Sequence, residues 1–62
     1  MNFNLKVAIL RRYPVQADFA KQIGISETVL SRLIKERREA TSELKETIAT
    51  ELGVDRSEIF PS

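Results

Sequence analysis

Apolar residues recur along this chain at helical spacing, and no alternating strand pattern of useful length interrupts them. Asn4 is a good N-cap, and a first helix is predicted over Leu5–Arg12. Pro14 stops it and pushes Tyr13 out of the helical region. Phe19, Ala20 and Ile23 stand at i, i+1 and i+4, the apolar stripe of a second helix over Gln16–Ile23. Gly24 can take a positive φ and end it tightly. Ser26 caps a third helix, Glu27 to about Lys35. At about 100° per residue its faces separate. Glu27, Thr28, Ser31, Arg32 and Lys35 share about 140° of arc, with Val29, Leu30, Leu33 and Ile34 opposite. Thr41 or Ser42 caps a fourth helix carrying Leu44, Ile48 and Leu52, and Gly53 stops it. Asp55 and Glu58 have capping-box spacing around a last turn, Arg56–Phe60, closed by Pro61.

The pattern therefore predicts an all-α fold, a compact bundle of five short helices. Ile9, Phe19, Ala20, Ile23, Leu30, Leu33, Ile34, Leu44, Ile48, Leu52 and Phe60 form the expected core, and Phe3 is read as apolar core too. Tyr13 is expected to lie over the core as a lid.

Size and composition narrow the possibilities. Sixty-two residues make one small domain, 1–62, of marginal stability. The chain has no cysteine and no histidine, which excludes disulfides and the usual zinc sites. Its carboxylates show no converging pattern, so an enzyme is not expected. The longest apolar run, Val7 to Leu10, is far too short for a membrane span. No cofactor and no small-molecule ligand are expected.

Net charge is only +1, but it is unevenly spread. Residues 1–38 hold eight Lys/Arg against three Asp/Glu, a balance of +5; residues 39–62 hold two against six, a balance of −4. Arg32, Lys35, Arg37 and Arg38 cluster at the end of the third helix. The segment Gln16–Lys35 has the outline of a helix-turn-helix, whose second helix often enters the major groove of DNA. A basic exit from that helix lies where phosphates would be.

With Gln16, Phe19-Ala20, Gly24-Ile25-Ser26, Leu30-Ser31 and Leu33 in this spacing, the chain resembles the phage repressor and Cro-type helix-turn-helix family, the lambda-repressor-like DNA-binding domains. Leu52-Gly53-Val54 followed by Ile59-Phe60 resembles the family's last two helices, so the likeness covers nearly the whole chain. Three positions depart from the family pattern. Val15 replaces the usual Ser or Thr cap of the second helix. Glu36 stands where the third helix often ends in Gly; a left-handed Glu is strained, so that helix is expected to run on or end differently. Ile9 and Ile34 stand where many members pair Arg with Glu, and are read as core, since apolar replacement of an ion pair can be neutral or stabilising.

The resemblance implies a double-stranded DNA operator as partner, acted on in the cytoplasm of a bacterial or phage-infected cell. Glu27, Thr28, Ser31 and Arg32 become candidate base contacts. Gln16, Ser26, Lys35, Arg37 and Arg38 become candidate phosphate contacts. Arg32 has the chemistry for a bidentate bond to guanine O6/N7, or else for a phosphate or an i+4 pair with Glu36. Glu27 either accepts from cytosine N4 or serves the helix dipole. Thr28 suits a thymine methyl or a base edge. A weak homodimer, completed on DNA, is expected through Val54–Pro61. The alternative is a protein-interaction module, an antitoxin or anti-repressor, using its acidic segment and apolar tail.

Overall fold

The computed structural model describes residues 1–61. Five helices follow in order: α1 Phe3–Arg12, α2 Gln16–Gln22, α3 Glu27–Ile34, α4 Ser42–Leu52 and α5 Arg56–Ile59. No strand occurs among the described residues, as the periodicity predicts. α1 packs against each of the other four helices, α2 against α3, and α4 against α5. The domain measures 26 × 23 × 20 Å.

One core joins all five helices. Leu5, Ile9, Phe19, Ala20, Leu30, Leu33, Ile34, Ile48, Ala49, Leu52 and Ile59 are buried in it. Ile23, Leu44 and Phe60, expected inside, are half-buried and pack on its edge. Leu5, Ala49 and Ile59 complete the interior. Ile9 and Ile34 are both buried, as their reading as core expects. Phe3 departs from expectation: it is exposed. On α1 the inward side is taken by Leu5 and Ile9, and Phe3 falls outside that arc.

The start of α1 also differs from the sequence expectation. The helix begins two residues earlier than Leu5, and its cap is Asn2 rather than Asn4. Buried Leu5 needs a partner for its N–H, and Asn2 Oδ1 accepts it at 3.0 Å. Asn4 turns to α5, its Nδ2 donating to the Glu58 carbonyl at 3.2 Å. Thr41, not Ser42, caps α4, its Oγ1 accepting the Leu44 N–H at 3.1 Å. The expected Asp55 capping box does not form. Asp55 makes no side-chain cap bond, and backbone bonds close this single turn instead: Glu58 N–H to the Asp55 carbonyl at 3.0 Å and Phe60 N–H to Arg56 at 2.8 Å.

Tyr13 follows Arg12 in extended backbone, as Pro14 requires. Its ring lies 5.1 Å from Phe19, closing one end of the core as expected of a lid. The hydroxyl donates to a Glu51 carboxylate oxygen at 2.6 Å. That hydrogen bond, helped by desolvation, holds the phenol above its ordinary pKa.

Burial ranks the core positions. Ile48→Ala should cost on the order of 2–5 kcal/mol, because Ile48 has no exposed surface. Half-buried Leu44 truncated to Ala should cost clearly less, and Phe3→Ala should stay within about 0.5 kcal/mol. Urea midpoints of the three variants check this order; equal losses at Ile48 and Phe3 would contradict it.

Candidate nucleic-acid interface

The turn between α2 and α3 is set by backbone hydrogen bonding. Gly24 has φ +76°, in the left-handed region. Its N–H bonds the Lys21 carbonyl at 3.2 Å, and the next N–H, of Ile25, reaches back to Ala20 at 3.0 Å. This pair of bonds is a Schellman end, and it satisfies carbonyls that α2 would leave bare. Ser26 then opens α3, its Oγ accepting the Val29 N–H at 3.1 Å. Ile25 and Leu30 occupy the positions of a hydrophobic staple across this cap, both against the core. Ala20 is buried where α2 meets α3, and its small side chain permits their close approach.

α3 divides as its spacing predicts. Leu30, Leu33 and Ile34 are buried and Val29 is half-buried. Glu27, Thr28, Arg32 and Lys35 are exposed, with Ser31 half-exposed between them. These five residues and Arg37 line one shallow, open depression. The four candidate base contacts are therefore brought together, with two of the candidate phosphate contacts beside them. Arg38 falls elsewhere. It lines a separate hollow with Asn2, Leu33, Glu36, Lys45 and Phe60. Gln16 is the first residue of α2 and is half-buried; Ser26 is exposed at the α3 cap. Val15 precedes α2 without a side-chain cap bond, as its chemistry requires.

The end of α3 is where the sequence expectation fails. Glu36 takes φ +59°, so the helix neither runs on nor ends in another way. Glu36 N–H bonds Leu33 at 3.1 Å and Arg37 N–H bonds Arg32 at 2.9 Å, the same Schellman pair that Gly24 makes for α2. A left-handed L-residue costs roughly 1–2 kcal/mol. The burial of Leu33 and Ile34 and the satisfied carbonyls offset that strain. A further contact, with no local sequence signal, comes from the amino end of the chain. Asn2 N–H donates to the Ile34 carbonyl at 2.7 Å, and Asn2 Nδ2 donates to Ile59 at 2.6 Å. Glu36 pairs with the Met1 amino group at 3.0 Å, not with Arg32.

Among the described residues, Arg32, Lys35, Arg37 and Arg38 enter no ion pair; the two ion pairs are Met1–Glu36 and Arg56–Glu46. These four cations remain available to an external anion. No cluster of His, Cys, Asp or Glu suited to a metal occurs among the described residues. Among the described residues no helix is long and apolar enough to cross a membrane.

The family profile described as Helix-turn-helix matches residues 16–59, from the first residue of α2 to the last of α5. The chain belongs to that family, of the phage repressor and Cro-like type. It is thus a domain of the DNA-binding regulator class. No curated protein and no solved structure matches the chain.

Glycine adopts the left-handed conformation without a Cβ penalty. Glu36→Gly should therefore raise stability by about 0.5–1 kcal/mol, despite loss of an exposed ion pair. Glu36→Val should lower it, since a β-branched residue fits φ > 0 poorly. Chemical denaturation of both variants reads the two signs; a destabilised glycine variant would contradict the strain argument.

Proposed function

We propose that this chain is a sequence-specific, Cro-like or repressor-like transcriptional regulator that lays α3 in the major groove of an operator half-site. One observation carries the reading: Glu27, Thr28, Ser31, Arg32, Lys35 and Arg37 share an open polar face whose cations enter no ion pair among the described residues. An α-helix fits the major groove, where base edges present distinct donors and acceptors.

In this reading Arg32 donates two bonds to guanine O6/N7 from the second turn. Glu27 accepts from cytosine N4 at the first turn, and it repels DNA that lacks such a donor. Thr28 meets a thymine methyl or base edge, and Ser31 works at the groove margin. Gln16 and Ser26 hold phosphates on one side, Lys35 and Arg37 on the other. Arg38 is assigned to the backbone beyond the turn. The chain acts in the cytoplasm as a pair on half-sites about one helical turn apart. It occupies the operator and excludes polymerase.

Selection of bound sequences from a random duplex library tests the reading directly. A symmetric consensus with half-sites one turn apart is expected. Recovery of unenriched sequence at low salt would overturn it in favour of a protein-interaction module.

Affinity should fall steeply with salt. Roughly four phosphates neutralised per subunit give a log–log slope of about −3 to −4, doubled for two subunits. Binding isotherms at several salt concentrations measure it, and a flat response would oppose the DNA reading.

Arg32 and Arg38 should behave differently. Arg32→Ala should cost roughly 1–3 kcal/mol on the preferred operator and relax choice at one base position. Arg38→Ala should weaken all duplexes alike and shallow the slope by about one unit. Glu27→Gln should shift base preference with little effect on folding, since a dipole contribution is worth only about 0.3–1 kcal/mol. Titrating the three variants against operators changed one base pair at a time separates these roles. Uniform loss with Arg32→Ala would make Arg32 a phosphate ligand.

A further inference from the structure

The domain leaves an apolar stripe uncovered on α1. Phe3 is 66% exposed, Val7 47% and Leu10 43%. They stand at i, i+4 and i+7, so they form one continuous row. Beside the row runs a shallow groove against α5, lined by Phe3, Asn4, Val7, Arg11, Val54 and Glu58 among others. The tail expected to supply an interface offers less: Ile59 is buried, and Val54 and Phe60 are half-buried on the core.

We propose that this stripe docks a second copy of the same chain, with the two α1 helices antiparallel about a two-fold axis near Val7. A two-fold interface must be self-complementary: what residue i meets on j, residue j meets on i. The α1 row satisfies that condition. Centred on Val7, the antiparallel pairing sets Phe3 against Leu10 of the second copy, Leu10 against its Phe3, and Val7 against Val7.

The charges choose the same arrangement. Arg11 lies at the C-terminal end of the row. Glu58 lies at the N-terminal end, where Asn4 Nδ2 bonds its carbonyl at 3.2 Å. Both side chains are exposed, and neither makes an ion pair among the described residues. Antiparallel docking brings each Arg11 to Glu58 of the other copy, twice over. A parallel arrangement would set Arg11 against Arg11 and Glu58 against Glu58, which like-charge repulsion opposes.

The area sets the strength. The three apolar side chains offer on the order of 300 Å² per copy, against roughly 800 Å² per partner in a standard stable interface. The dimer is therefore weak, and monomer dominates at low micromolar concentration. The surface shares no residue with the polar depression on α3, so it stands or falls independently of the DNA reading.

Sedimentation equilibrium of the full chain, from about 50 µM to about 1 mM, covers the range such an interface implies. A reversible monomer–dimer equilibrium is expected. Val7→Glu places two carboxylates at the axis and should leave only monomer. Arg11→Glu and Glu58→Arg should each weaken association about threefold to tenfold, since the pair occurs twice. The combined Arg11→Glu/Glu58→Arg variant should recover it, because the charges are exchanged and still complementary. Far-ultraviolet circular dichroism confirms that each variant folds. A chain monomeric throughout, a dimer that survives Val7→Glu, or a double variant without recovery would each overturn the proposal.

Discussion

Burial of Leu30, Leu33 and Ile34 is the constraint on which the rest of the structure depends. α3 has only eight residues, and an isolated helix of that length is not stable in water. Its existence and its orientation come from the core it completes. The same three side chains point the opposite face outward, so packing fixes which polar groups any ligand meets. Phe19 and Ala20 on α2, together with Ile9 on α1, supply the surface that receives them. The polar face is thus a by-product of apolar packing, and its chemistry can change without disturbing the fold.

Three helices end by the same device. Gly24 after α2, Glu36 after α3 and Gly53 at the end of α4 all take positive φ, and each end is closed by the paired backbone bonds of a Schellman motif. Two of the positions use the residue that adopts this backbone freely. The third does not, and it lies between Arg32 and Arg37 on the proposed DNA-facing side. There the backbone reversal sends consecutive side chains apart: Arg37 joins the α3 face, while Arg38 lines the hollow by Phe60. A run of basic residues in sequence therefore becomes two separate placements in space.

Much of this architecture was legible in the sequence. Helical periodicity located the five elements. The stop at Pro14 and the breaks at Gly24 and Gly53 located most ends, because those residues restrict or free the backbone directly. The α3 face was readable because one helix's geometry orders its own side chains. What sequence did not disclose was mainly decided at long range. Asn2 and Asn4 are equally good caps by chemistry, and only the burial of Leu5 selects between them. Phe3 reads as interior by composition, yet it lies outside the arc that α1 turns inward. Glu36 reads as a residue that avoids positive φ; the packing of Leu33 and Ile34 overrides that preference. Arg38 reads as equivalent to Arg37 in sequence because the left-handed turn just before them falls on Glu36, a residue type that does not signal one.

Asn2 carries a consequence for the order in which the chain assembles. Its side-chain oxygen caps α1, its N–H holds the last turn of α3, and its amide nitrogen holds the Ile59 carbonyl 57 positions away. The first of these is local, and α2 with α3 can meet across a short turn. The Ile59 bond closes a loop nearly as long as the chain, and loop closure costs entropy that local contacts avoid. Helix pairing therefore comes early along the folding route, and the junction of α1, α3 and α5 is sealed late. The carboxyl end of α3 is thus held by a residue that is itself tied to α5.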